Sequence, residues 1–270
     1  MNDIDIVRAF YDSMTESEWN RIAGKPEFLL TCRFLDRYIR PGDRVLDIGG
    51  GPGRYSLYLA ARGCDVTLFD LASENIKFGE AKARELGLPL HTICGDARKV
   101  DTLTEGMYDH VLLMGPLYHL LEEADRVRAV DAACAVLKTG GVLFASFINM
   151  YAGMIYEMCH APELAMPERQ DEPEKNFKRC LLEGDSYAGD AFTRAFFIDQ
   201  NAVLPFMSRF PLEKLHLFGQ EGVCSPRAGE LFTQPEEIYT AWIDFSEKVC
   251  EREELLSWAE HLMYVGRKTI

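Results

Sequence analysis

The stretch Arg44-Val-Leu-Asp-Ile-Gly-Gly-Gly-Pro-Gly-Arg-Tyr-Ser-Leu57 leaves few folds open to this 270-residue chain. Val45, Leu46 and Ile48 read as a short buried parallel strand. Gly49, Gly50, Gly51 and Gly53 then permit a tight turn and a close approach of a ligand to the backbone. Pro52 fits the first turn of a helix, where a missing N–H costs nothing, and that helix runs to about Arg62 before Gly63. Strand, glycine turn and helix N-terminus predict a nucleotide-type cradle with backbone donors aimed at the ligand.

The spacing decides which nucleotide. A dinucleotide fingerprint needs G-x-G-x-x-G/A, but the sixth position is Arg54 counted from Gly49 and Ser56 counted from Gly51. The pattern is instead Asp47-x-Gly49-x-Gly51-x-Gly53. A carboxylate beneath the turn repels a pyrophosphate and attracts a ligand carrying ammonium and sulfonium groups. These residues resemble motif I of the class I S-adenosylmethionine-dependent methyltransferases, and the resemblance continues through residues 43–147 and more loosely to the C-terminus.

Downstream the chain alternates strand and helix, which requires right-handed crossovers and a parallel sheet. Cys64 to Asp70 is an apolar strand ending in an acid, 17 residues beyond Gly53. Asp70, followed by Leu71, stands near the position of an acid that accepts bonds from a ribose diol. Its structural alternative is a cap for the helix that Ser73 and Glu74 begin. A helix to Leu86, closed by Gly87, leads to a third strand, Pro89 to Cys94, and then Gly95-Asp96-Ala97. The resemblance implies that Asp96 bonds the adenine amino group and that the Ala97 N–H meets the ring. The fourth strand, from Tyr108, runs through Met114 and Gly115 into Pro116-Leu-Tyr-His-Leu120, similar to the G-P-L-Y-H-L stretch of a bacterial branch of these enzymes. At the carboxyl end of a strand beside the switch point, Tyr118 and His119 are expected close to the transferable methyl group, with His119 as the candidate base or, alternatively, as a group that orients a backbone carbonyl. A helix from Glu122 to Leu137 precedes the fifth strand, Val142 to Ile148.

Before the core, residues 1–24 read as one or two short helices. The resemblance implies that this arm folds over the cofactor, with Tyr11 and Arg21 as the candidate contacts. After Asn149 periodicity weakens, and residues 150–190 carry four methionines and the polar run Arg169–Asn176. An insertion there sits over the ligand face and reads as a substrate cap, whose methionines suit a greasy pocket or plain packing. Ala191–Ile198 is an expected cap strand. Gln200–Phe210 reads as a helix, Leu212–Phe218 as the sixth strand, and a helix capped by Thr233 leads to a final strand, His261–Arg267. The resemblance implies an α/β fold: a Rossmann-like seven-stranded sheet, order 3-2-1-4-5-7-6, last strand antiparallel, helices on both faces, to which the insertion adds a helical cap. The expected parts are an N-terminal helical arm (1–42), the cofactor-binding core (43–149), the cap insertion (150–198) and the rest of the core (199–270). That geometry puts Gln220, Glu221, Glu260 and His261 on the cofactor face.

The implied activity is methyl transfer from S-adenosylmethionine to a small-molecule acceptor, leaving S-adenosylhomocysteine, in a cytoplasmic monomer or homodimer. A net charge of −14 argues against a nucleic-acid backbone as partner. No apolar run reaches the ~18 residues of a membrane span. Eight scattered cysteines without a C-x-x-C pair read as free thiols, and no metal site is expected. An RNA or protein methyltransferase would want a basic groove or an N-P-P-Y tetrapeptide, where this chain has Met-Gly-Pro-Leu117. A cofactor-binding protein without catalysis is the other alternative.

Overall fold

The computed structural model describes residues 2–270. Its sheet is built from β1 (Arg44–Ile48), β2 (Asp65–Asp70), β3 (His91–Cys94), β4 (Tyr108–Leu113) and β5 (Leu137–Asn149), all parallel in the order 3-2-1-4-5. Two further strands, β6 (Tyr187–Asp190) and β7 (Arg194–Ile198), form a hairpin. β8 (Leu212–Gly219) and β9 (His261–Lys268) complete the expected sheet: β9 lies antiparallel to β5, and β8 antiparallel to β9. The core is therefore the predicted seven-stranded arrangement, with β9 and β8 in the seventh and sixth places.

The hairpin is the addition that makes nine strands. β7 pairs with the last two residues of β5, Ile148↔Phe197 and Asn149↔Ile198. β9 already occupies one side of Ile148, and β4 ends opposite Ala145. β7 therefore takes the side that β4 has vacated, and roofs the point where the chain leaves β4.

The sheet is covered on both faces because neighbouring residues of each strand point opposite ways. Leu46, Ile48, Leu113 and Leu143 pack into one apolar layer, Val45, Leu112, Phe144 and Val265 into the other. The helices on the second face include α2 (Pro26–Tyr38), whose Leu30, Phe34 and Leu35 are fully buried. Each such side chain stabilises by about 1.5–3 kcal/mol, and Phe34 stacks on Phe218 of β8 at 3.7 Å. Ahead of it, α1 (Asp3–Arg21) is one continuous helix, not two, with only Val7 buried. α3 (Arg54–Ala61) begins after Pro52, at Gly53, which takes the left-handed conformation. α4 (Ser73–Leu86) ends at Gly87 as predicted. α5 (Val100–Leu103) and α6 (Glu123–Val136) follow, and α6 passes directly into β5 at Leu137.

The insertion is more regular than its sequence implies. α7 (Tyr151–His160) leads through two 3₁₀ turns to α8 (Glu172–Glu183), which Asp171 caps by accepting from Glu174 N at 3.0 Å. Ile148, Met150, Phe177, Tyr187, Ala195 and Phe197 give it an apolar centre of its own. Entry and exit are adjacent: Met150 N donates to Ile198 O at 3.0 Å. α9 (Gln200–Met207), α10 (Ala228–Leu231), α11 (Glu236–Val249) and α12 (Glu253–Leu256) complete the chain, Pro235 and not Thr233 occupying the cap position of α11. All eight cysteines are free. No helix among the described residues is long and apolar enough to cross a membrane.

Candidate active site

The glycine turn differs from its prediction in one respect that matters chemically. Its N–H groups are not aimed outward. Gly49 N and Gly50 N donate to Phe69 O at 2.7 and 3.3 Å, Gly51 N donates to Asp70 Oδ2 at 2.8 Å, and Gly53 N donates to Gly50 O at 3.0 Å. The turn therefore presents space without a free N–H group, a poor cradle for a phosphate. Space is real at Gly51: at φ +56° a Cβ there would meet nothing within 4 Å. At Gly50 a Cβ would lie 2.5 Å from Leu68 Cδ1 and 2.6 Å from Asp47 Oδ2, so the turn rests directly on that carboxylate.

Asp47 is fully buried, takes one bond from the Ser56 hydroxyl at 2.7 Å, and leaves Oδ1 without a partner. Burial pushes its carboxyl up to about 7, against the Ser56 bond and with help from the charge of Asp70. Asp70 ends β2 and is also occupied. Besides Gly51 N it accepts from Ala72 N at 2.8 Å and Asn75 Nδ2 at 3.2 Å, while burial raises its pKa. It thus ties the turn to the start of α4, where Ala72 and not Asp70 stands at the cap position. Asp96 is held by Arg98, which bonds it through Nη2 at 2.6 Å and keeps its carboxyl below the usual range despite partial burial.

Asp47, Gly49, Gly50, Gly51, Asp70, Leu71, Asp96, Ala97, Met114, Gly115, Tyr118 and His119 line a single cavity of about 660 Å³, together with Tyr11 and Arg21 from α1. Gly53 is the exception; it packs behind the turn against Leu68. α1 closes one side. Its Tyr11 hydroxyl meets His119 Nε2 at 2.7 Å, Asp3 pairs with Arg194 at 2.8 Å, and Arg54 stacks on Trp19 at 3.8 Å. His119 Nδ1 faces the carbonyl of Arg194 at 3.0 Å, so Nδ1 carries the hydrogen and Nε2 accepts from Tyr11. Burial pushes this imidazole down to about 4. With both nitrogens engaged, the geometry favours the orienting role for His119 over that of a base.

Arg21 forks between Glu18 and Glu27 at 3.0 and 2.9 Å. Beyond Glu27 stands His261, one of the four residues expected on this face. Glu221 clamps it, accepting from its backbone N–H at 3.0 Å and pairing with Nδ1 at 2.7 Å. Although burial disfavours the charged ring, Glu221 and Glu27 raise its pKa to about 9. Gln220, Glu260 and His261 line the cavity, and the ring of Tyr118 lies 6.1 Å from that of His261. The roof comes from the insertion, with Tyr156, Phe177, Phe192 and Phe197, and with Glu157 and Glu174 beside them. Glu174 is pushed up to about 7 by its hydrogen bond to Glu157 and by burial. The methionines do not serve here: Met150 is buried in the insertion's own centre, and Met154, Met158 and Met166 are exposed. Sequence reading missed Glu18, Glu27 and Tyr55, whose only local signal is a place in or near the first turn of a helix or at the end of one.

Residues 45–141 match the model of a methyltransferase domain. The ubiquinone biosynthesis O-methyltransferase of Chromobacterium violaceum is 34% identical over 124 residues, 46% of this chain and 52% of that protein. The chain thus spans about half the length of the curated relatives it matches. Over the whole chain the fold resembles that of the 1,6-didemethyltoxoflavin-N1-methyltransferase of Burkholderia thailandensis, solved with 1,6-didemethyltoxoflavin and S-adenosylhomocysteine (TM-score 0.59, 16% identity, 98% of this chain and 88% of that one). It also resembles the [4+2]-cyclase SpnF (TM-score 0.59, 17% identity, 98% and 95%). Residues 45–141 thus carry the similarity to a methyltransferase domain, and the whole chain shares the fold of these solved proteins.

Proposed function

We propose that this protein transfers a methyl group from S-adenosylmethionine to a small-molecule acceptor held under the insertion. The observation that carries the reading is the shared cavity: one space joins the glycine turn, Asp70 and Asp96 to an aromatic roof. The residues suit the cofactor. The open face of Gly51, the orphaned Oδ1 of Asp47 and a turn whose N–H groups are all engaged favour a cationic ligand over a dinucleotide. When bound, S-adenosylmethionine supplies a methyl group already activated on a sulfonium. The chain's residues have the remaining work. Asp47 and Asp70 hold the cofactor end, while Asp96 and Ala97 flank the base. Tyr118 and the aromatic roof orient the acceptor and exclude water, which is most of what an in-line displacement needs. His119 fixes Tyr11 and hence α1 across the cleft.

A second reading is kept by one observation: a [4+2]-cyclase shares this fold, so the cavity alone does not dictate the reaction. Incubation with methyl-labelled S-adenosylmethionine and a panel of phenols, amines and thiols, followed by mass spectrometry, tests the proposal. Label in a product supports it. Tight S-adenosylhomocysteine binding with no label transferred to any panel member would favour a different reaction at the same site.

A further inference from the structure

We propose that Glu27, Tyr55 and His261 form a subsite that recognises an uncharged hydroxyl group on a flat apolar acceptor. The proposal deepens the methyl-transfer reading by naming the class of molecule, but the binding it describes does not require transfer.

Three elements bring the wall together. Glu27 stands in the first turn of α2, Tyr55 at the start of α3, and His261 at the start of β9 beside Tyr118. All three line the cavity. Each retains hydrogen-bonding capacity there. Tyr55 is more than nine-tenths buried and feels the charges of Glu27 and Arg21; Thr31, whose hydroxyl already accepts from Gln220 Nε2, is its polar neighbour, and the Tyr55 hydroxyl makes no hydrogen bond of ordinary geometry among the described residues. His261 is bonded through Nδ1 only, which leaves Nε2 free. Glu27 receives Arg21 on one oxygen, Oε2. A buried phenol hydroxyl without a partner is destabilising, and a ligand that bonds it removes that cost.

The donor and acceptor pattern selects the ligand. Glu27 accepts; the protonated His261 ring donates; Tyr55 does either. A hydroxyl both donates and accepts, so it satisfies Glu27 and one donor at once. A carboxylate or phosphate would face Glu27, with Glu18 and Glu260 also on the cavity wall. An ammonium has donors only, and would meet Arg21 and the His261 ring. The rest of the wall, Phe192, Phe197 and Tyr118, suits an aromatic body.

The test uses the full chain saturated with S-adenosylhomocysteine, whose own binding is measured first by calorimetry. Three probes of one shape follow: 2-naphthol, 2-naphthoate and 2-naphthylmethylammonium. We expect 2-naphthol to bind at least tenfold tighter than either charged probe. Tyr55→Phe, which removes one oxygen, and Glu27→Gln should each weaken 2-naphthol about five- to tenfold and leave naphthalene binding unchanged. Equal affinity for 2-naphthoate overturns the proposal. So does unchanged 2-naphthol affinity in a Tyr55→Phe protein of normal melting temperature. Ligating atoms of Glu27, Glu221 and His261 lie within 4.8 Å of one another, so Zn²⁺ and Mg²⁺ are titrated as well. Tight uptake abolished by His261→Ala would overturn the hydroxyl assignment in favour of a metal centre. Failure of S-adenosylhomocysteine to bind would instead count against the methyltransferase reading, and the naphthol series on the free protein would still decide this one.

Discussion

The buried carboxylate under the glycine turn makes a quantitative prediction about pH. With its carboxyl at about 7, Asp47 is roughly 0.9 ionised at pH 8 and roughly 0.01 at pH 5. If the anion holds the cationic end of the cofactor, apparent affinity scales with the ionised fraction. S-adenosylhomocysteine should then bind roughly 90-fold more weakly at pH 5 than at pH 8, about 2.7 kcal/mol. The stability of the free protein runs the other way. The folded-state pKa lies above the unfolded value, so this group's contribution is full below about pH 4 and is lost as pH rises through about 7. Asp47→Asn removes both effects. Its ligand affinity should vary little between pH 5 and 8, and at pH 8 the free variant should melt higher than the parent. Calorimetry at four pH values on both proteins, with melting curves, is the assay. Glu174 also titrates at about 7, which is why the variant is needed. A parent protein whose affinity is flat across this range, or an Asn variant retaining the full slope, would refute the reasoning.

Two further outcomes follow from the same geometry. Asp70→Ala removes the acceptor of Gly51 N, Ala72 N and Asn75 Nδ2; it should lower the stability of the free protein by about 1–3 kcal/mol, read as a fall in melting temperature, and also weaken cofactor binding at least tenfold. Tyr11→Phe deletes the bond to His119 Nε2; amide exchange over residues 3–21 should quicken about fivefold while the sheet is unaffected, and unchanged exchange would show that the other ties of α1, through Asp3, Asp12, Trp19 and Arg21, suffice to hold it.

The sheet was readable because each strand is an apolar run with a boundary signal: glycines after Ile48, Asp70 after Phe69, Gly115 after Met114. The insertion was not. In α8 only Phe177 and Cys180 are buried, so its apolar stripe is too thin to see, although Asp171, Pro173 and Gly184 are ordinary start and stop residues. β6 has no apolar alternation at all, and exists because β7 supplies its ladder. α1 buries one residue and so carries almost no periodic signal. The site divides the same way. Asp47 and Asp70 stand out by their places next to the glycine turn and at a strand end. Glu27 looks like any acid in a first helical turn, and only the arrival of β9 from 234 residues later gives it a partner wall. Nor does sequence reveal that Phe69 and Asp70 claim the N–H groups of the glycine turn, since both lie on the neighbouring strand.

The junction of the insertion with the core has an evolutionary consequence. Residues 150–198 leave the sheet at Met150 and return at Ile198, with one hydrogen bond between those two residues and two register pairs to β5. Because the two ends already meet, the length and shape of what lies between them leave the course of the core strands unchanged, and loop-closure entropy rises only slowly with added residues. The insertion also holds its own apolar centre. Such a segment is open to replacement as a block: a descendant could change the roof, and with it the molecules admitted, while Asp47, the glycine turn and Asp70 stay as they are. The roof of the cavity and the turn with its two aspartates therefore lie on separate stretches of the chain, although Glu27, Tyr55, Tyr118 and His261 line the same cavity from outside the insertion, and 150–198 is the natural unit to graft from a relative between these two residues.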